Sequence, residues 1–478
     1  MELERAIGES GEIAIKLGLN PPAVNFEMVP ADVMYEIAAY HFPARFPHWT
    51  HGGEYYRQKT QYDHGLSKIY ELVVNTDPPQ AYLMESNDLV AQKLVIAHVL
   101  GHADFFRRNI YFKDSNRHMD ISARAHADLV RSLEEEQGVE AVERILDAAL
   151  SIAYHVDPAS SFFRRKGQAE YEQERLYPIE EPLSDYDDIW NLAGKKKEMV
   201  KKERRLPPEP QRDVVLFLAE NSHQLEVWQR AILNLVREEW IYFYPNIRTK
   251  VMNEGYATFW HERILENSLL TPDEHLEFRR LHTGVVAVGH NFSINPYLVG
   301  YKLWRDIEKR WQVPEEERTW YGDVIKRKGG EGIKKVLDVA AEYRDADFVR
   351  GFMTEKLVQE LDLYAYQFEG DASKEKGKWV VQQATWQKVR DGLADQLTSS
   401  GLPTILVEDG DYHRRGELLL THDFKNDRTP IDLDYAARTL RHVYTMWGKP
   451  VHISTEVNNK KYILTCEDGV NVSSKIVS

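Results

Sequence analysis

The chain has 478 residues, with 61 Lys and Arg against 76 Asp and Glu, a formal net charge of −15, and 42% hydrophobic residues. That composition is globular, and a surface that tracks nucleic-acid phosphates, which needs a basic face, is excluded as its main business. A single cysteine, Cys466, allows no internal disulfide and fits a reducing compartment; no run reaches the ~20 apolar residues that cross a bilayer, and the first residues lack the pattern of a signal peptide. The expectation is a cytoplasmic protein without a membrane span.

In chain order, residues 1–155 read as mainly helical, interrupted by a loop-like aromatic block, HFPARFPHWTHGGEYYRQKTQYDHG at 41–65, with Pro43, Pro47 and a Gly52-Gly53 pair. A helix is predicted over about 88–109, then another through ISARAHADLVRSLEEEQ, stopped by Gly138, and a third through VEAVERILDAALSIAYH. Residues 160–212 change character, with an acidic run, a basic run (GKKKEMVKKERR) and LPPEP, and read as a charged surface excursion. Helical periodicity resumes from Asp213 to about Phe243, is expected to end at Pro245, and restarts near Thr249. GVVAV at 284–288 reads as a short strand, and Asn295-Pro296 as a helix start. From Lys378 strands alternate with helices: WVVQQ, TWQKVRDGLADQL, TILVED, GELLLTHDF, YAARTLRHVYTMW, VHISTEV, KYILTCE. The predicted organisation is a mainly α region over 1–377 and a smaller C-terminal α+β domain over 378–478.

His98 and His102, in AHVLGHADFF, stand four apart, one turn along one helix face, so both rings can reach one ion. Two core histidines satisfied by hydrogen bonds would share that spacing. In VMNEGYATFWHERIL, Gly255 sits inside a helix where glycine costs ~1 kcal/mol relative to alanine, directly after Glu254. If Gly101 and Gly255 face each other, two backbones come close and Glu254 reaches the histidines, making a His98, His102, Glu254 site with an open position, a set suited to zinc.

These residues resemble gluzincin metallopeptidases, in which a first helix carries two histidines and an NEGxA motif supplies the third ligand; here Val99 stands where that resemblance implies a general-base glutamate. A wider resemblance spans nearly the whole chain. By HFPARFPHWTHG, KTQYDHGLSKIYELVVNTDPPQAYLMESN, QKLVIAHVLGHADFF, KVMNEGYATFWH, SINPYLVGYKLWRDIEKRW, RGELLLTHDF and LDYAARTLRHVYTMWGKPVHI, the sequence is identified as a member of the stage V sporulation protein R (SpoVR) family. That resemblance implies a cytoplasmic protein tied to spore cortex formation, or to stress and stationary-phase physiology. It also implies association with a serine protein kinase and a von Willebrand-type-A-like protein.

His261 lies seven residues after Glu254, ~10.5 Å along the helix, too far to share the ion, and is assigned as a donor to substrate or as a group behind the ligands. Glu85, Asp104, Glu54 and Glu262 are the acids that can replace the missing base, and Glu85 joins His261 in the catalytic assignment. Asp104 or Glu85 can instead support the second nitrogen of a ligating histidine. His48, His51, His64, His282 and His290 fall in loop-like sequence and can line a cleft. Two functions remain open: a zinc-dependent hydrolase of amide bonds in peptides or peptidoglycan-derived fragments, and a regulatory, partner-binding protein with a structural or degenerate metal site.

Overall fold

A computed structural model describes residues 2–63, 71–161, 206–268, 270–288, 294–318, 324–327, 329–364, 366–371, 376–381, 385–398, 401–427, 429–457 and 460–477. Most of the charged excursion read over 160–212, namely 162–205, lies outside the described residues, as do His64 and His290. Packing divides the chain into two units, Met1–Arg144 with Glu238–Pro403 and Lys425–Thr429, and Ile145–Arg237 with Thr404–Phe424 and Pro430–Ser478. The alternating segment that begins near Lys378 is therefore shared: helix Trp386–Thr398 packs into the first unit, and the strands from Ile405 onward form the second.

The first unit is mainly helical, as its periodicity predicts, but it also holds a small sheet that the sequence reading missed. Helix α1 (Glu2–Lys16) precedes strand β1 (Asn25–Val29); β2 (Glu71–Val74) and β3 (Gln80–Met84) follow, in the order β1-β3-β2. β3 runs parallel to β1 and antiparallel to β2, with Glu71 opposite Leu83. Strands this short carry too few alternations to register as a period. The aromatic block differs too, because Trp49–Asp63 is a helix, its glycine pair lying within the first turns rather than breaking them.

Asp88 ends the turn after β3 and caps helix α2 (Leu89–Arg108), its carboxylate accepting the Ala91 N–H at 2.8 Å. Every residue from Val90 to Phe106 except Lys93 is buried. Among the described residues α2 is the helix long and apolar enough to cross a membrane, and most of it is enclosed by the protein. A helix apolar on all sides belongs in the middle of a core. Around it stand α1, α3 (Lys250–Glu266) and α4 (Pro272–Val285), and α5 (Pro296–Gln312) packs on α3.

Pro245 does not end its helix: Val227–Arg248 runs through it, and the break falls at Thr249, whose hydroxyl donates to the Pro245 carbonyl at 2.9 Å. The preceding helical stretch is split instead at Ser222, between Val214–Asn221 and Val227–Arg248. GVVAV is not a strand. A capping box between Thr271 and Glu274, with Pro272 in the first turn, launches α4 through Val285, and Val288 is exposed beyond it. Asn295 caps α5 as expected, accepting from Tyr297 N–H at 2.9 Å.

The second unit carries a five-stranded sheet of β4 (Ile405–Tyr412), β5 (Glu417–His422), β6 (Val451–Val457), β7 (Lys460–Cys466) and β8 (Val472–Val477), in the order β8-β7-β6-β5-β4. Only the β5–β6 pair is parallel, and helix Leu433–Trp447 bridges it, since parallel neighbours need a crossover. This is the α+β character that the sequence predicts.

A buried ion-pair network in the first unit makes its stability pH-dependent. Arg45 Nε donates to Glu239 at 2.6 Å, and His126 contacts Glu239 at 3.2 Å and Glu238 at 3.5 Å. Burial lowers the His126 pKa, but the two carboxylates outweigh it and raise the pKa to about 9. The stabilisation is thus fully present below the ordinary histidine value of about 6.5 and lost as pH rises through about 9. His126→Gln is expected to lower stability at pH 6 by roughly 1–2 kcal/mol, after allowance for the exposure of Glu238, and by much less at pH 10. Urea denaturation of both proteins at the two pH values checks it.

Candidate metal centre

Two close helix approaches set the site. A Cβ built at Gly101 of α2 would lie 2.7 Å from the Ala257 Cα of α3, so these backbones nearly touch. Gly255 does not face Gly101; it faces Gly300 of α5, whose Cα and carbonyl carbon would both lie 2.3 Å from an added Cβ. The two glycines therefore serve two different contacts, and α3 is clamped between α2 and α5. At the start of α3, Asp345 of helix Asp345–Phe352 accepts the Val251 and Met252 N–H groups at 2.8 Å each. Burial pushes that carboxyl up to about 7 against the pull of those N–H groups.

With α3 so held, Glu254 meets both histidines. Its Oε2 lies 3.4 Å from His102 Nε2 and 3.8 Å from His98 Nε2. Glu71, at the head of β2, brings its Oε1 to 3.7 Å from His98 Nε2. One ligand atom from each of Glu71, His98, His102 and Glu254 lies within 4.8 Å of every other, and together the four could hold a metal ion. The histidine rings are buried, whereas the Glu71 and Glu254 side chains keep 18% and 19% exposure, so the carboxylates form the open side. His98 Nε2 and Glu254 Oε2 are sealed from solvent without a hydrogen-bond partner. Unpaired buried polar atoms are unfavourable and rare, and a cation between these two would satisfy both.

The far nitrogens are engaged. His102 Nδ1 lies 2.8 Å from Asn253 Oδ1, and His98 Nδ1 lies 2.9 Å from His261 Nδ1. Each imidazole thus turns Nε2 toward the carboxylates, the arrangement that orients metal-binding histidines. Burial pushes the Glu254 carboxyl up, but His102 and His98 outweigh it and hold it well below the usual range. Burial likewise lowers His102, and Glu254 more than reverses that. The Tyr297 ring stands 6.0 Å from His98, and the hydroxyl bonds to Glu254; that negative charge first, then burial and Glu71, raise its pKa far above the ordinary value.

The other residues named from the sequence fall elsewhere. His261 is fully buried behind His98, both ring nitrogens engaged, one with His98 and one with His282 Nδ1 at 2.9 Å. Glu85 is exposed just past β3 and supplies no atom to the cluster. Asp104 supports neither histidine, because it accepts from Tyr256 OH, Arg108 and the Asn20 N–H. Glu54 pairs with Arg57, and Glu262 is bound by Tyr301, Arg305 and Arg279. His48, His51 and His282 are not surface loop residues: all three are buried, and His282 sits on α4. The sequence reading missed Glu71, Tyr297 and the role of Asn253. Only Asn253 carried a local signal, its place beside Glu254.

Residues 1–402 match the family model described as SpoVR like protein, and residues 403–458 match that of the SpoVR-like C-terminal domain. The junction falls where the sheet of the second unit begins. The Uncharacterized protein YcgB of Escherichia coli (strain K12) is 32% identical over 437 residues, a span covering 87% of this chain and 84% of that protein. No solved structure matches.

Proposed function

The chain belongs to the SpoVR family, and on that premise we propose that it is a zinc-dependent hydrolase of amide bonds in peptides or peptidoglycan-derived fragments. It would act in the cytoplasm in support of spore cortex formation or stress physiology. The observation that carries this reading is the pair of sealed, unpartnered atoms, His98 Nε2 and Glu254 Oε2, inside a two-histidine, two-glutamate cluster. Such a mixed N and O set is one that zinc favours. His98, His102 and Glu254 would hold the ion. Once bound, zinc supplies a water of lowered pKa and a Lewis acid beside the scissile carbonyl.

The chain's own residues supply the rest. Val99 is fully buried and apolar, so α2 cannot provide a base. Glu71 supports that role instead, since it arrives from β2 on the open side, where its Oε1 can take the proton of the attacking water and return it to the leaving amine. The Tyr297 hydroxyl, beside both carboxylates, can donate to the oxyanion that develops.

Glu71→Gln is expected to retain the metal and lose roughly 10²- to 10⁴-fold in turnover. Elemental analysis beside a cleavage assay on a peptide and muropeptide library, with Glu254→Ala as the blank, checks both halves. Loss of metal in Glu71→Gln would make Glu71 a fourth ligand and remove the base. The absence of a glutamate at Val99 favours a second reading, a regulatory protein with a degenerate site whose partners are the serine protein kinase and the von Willebrand-type-A-like protein. Metal-dependent cleavage by none of the library would move the assignment there.

A further inference from the structure

Behind the cluster, three imidazoles stand in series. His98 Nδ1 meets His261 Nδ1 at 2.9 Å, and His261 Nε2 meets His282 Nδ1 at 2.9 Å. His282 Nε2 then faces Glu262 Oε1 at 3.9 Å, a charge–dipole contact rather than a hydrogen bond. Glu262 is pinned by Tyr301 OH at 2.7 Å, Arg305 at 2.8 Å and Arg279 at 3.2 Å, and the two arginines are nearly half exposed. The row crosses from α2 through α3 to α4, from the interior to the rim. None of its members beyond His98 belongs to the cluster of possible ligands.

A neutral imidazole has one N–H and one bare nitrogen, so each hydrogen bond in such a row fixes the direction of the next. If Nε2 of His98 binds an ion, its Nδ1 must carry the proton and donate. His261 must then accept at Nδ1 and carry its proton on Nε2, which donates to His282 Nδ1. His282 is left with its proton on Nε2, turned toward the Glu262 carboxylate. The reverse polarity would aim a bare nitrogen at a carboxylate and place an N–H where the ion sits.

We infer that His261, His282 and Glu262 are positioning residues for the metal. Together they form a one-directional chain, anchored at the rim by Arg279 and Arg305, that selects the tautomer of His98 and makes its Nε2 the ligand. The inference rests on the metal reading above and adds to it a remote anchor, on another helix, that touches neither ion nor substrate.

The test uses the full-length protein with zinc alone as the probe. In ¹⁵N-histidine spectra of the zinc-loaded wild type, His98 should be protonated at Nδ1, and His261 and His282 at Nε2. His261 protonated at Nδ1 in that state would overturn the chain. His282→Phe keeps the bulk of the ring but accepts no hydrogen bond, and should weaken zinc binding roughly 10- to 100-fold in competition with a chromogenic chelator. His282→Asn places a carbonyl where Nδ1 stood and should stay within a few-fold of wild type. A merely structural role would not separate these two by zinc affinity at matched thermal stability. Wild-type affinity in His282→Phe, or equal loss in both, overturns the inference while leaving the metal site intact. A wild type that binds no zinc overturns the metal reading and this inference with it.

Discussion

Glu254→Ala is expected to abolish metal binding and to lower the thermal stability of the first unit, with both losses tied to the same atoms. In the wild type a bound ion adds RT ln(1 + [L]/Kd), about 4 kcal/mol when free metal is a thousandfold above Kd. The variant forfeits all of it. It also leaves His102 Nε2 and His98 Nε2 facing a space from which the acid they share has gone. The measurement is differential scanning calorimetry with and without a strong chelator, beside elemental analysis. The wild type should melt several degrees lower once stripped of metal, whereas Glu254→Ala should melt at one temperature in both buffers and carry only background metal. A variant that keeps its metal, or a wild type indifferent to the chelator, would refute the site.

Gly255→Ala should also destabilise the protein, while touching no ligand. The new methyl would sit 2.3 Å from two backbone atoms of Gly300, so the helices themselves must part. No rotamer change relieves a clash with backbone. Overpacking of this sort costs about 1–3 kcal/mol or more, against a gain of at most ~1 kcal/mol from helix propensity. Because α3 carries Glu254, its retreat should weaken zinc binding as well. Gly392→Ala is the internal control: that glycine also lies inside a helix, but nothing stands within 4 Å of its added Cβ. It should be neutral or stabilising by up to ~1 kcal/mol. Urea midpoints of the two variants should therefore move in opposite directions, and a shared direction would mean that the α3–α5 contact is looser than its geometry says.

The sequence was most legible where a residue's role is local. Asn295 before Pro296 and histidines one turn apart declare themselves within a few positions, because caps and helix faces are set by neighbours in the chain. Cost was legible as well: glycine inside α2 and α3 signalled close packing. What glycine could not signal was the partner, and pairing Gly101 with Gly255 proved wrong because a third helix, α5, bears Gly300. Glu71 was hidden for a different reason. It opens a four-residue strand whose place beside His98 is fixed by pairing with β3, and no local pattern encodes a partner in a sheet. His282 read as a loop residue because the capping box that extends α4 through it begins eleven residues upstream, at Thr271. His261 was assigned to either substrate or ligand support; its engagement at both nitrogens places it behind His98.

The wide spacing of these partners also orders events during synthesis. His102 and Asn253 meet across 151 residues of chain, and His98 and His261 across 163. A ribosome adding roughly 5–20 residues per second would make the histidine helix roughly 8–30 seconds before its glutamate and its supporting imidazole exist. Through that interval α2, apolar on every side, has nothing of α3 or α5 to pack against. It is then an apolar segment without its native cover, and an ion shared by both histidines and Glu254 could be held only after α3 has been made.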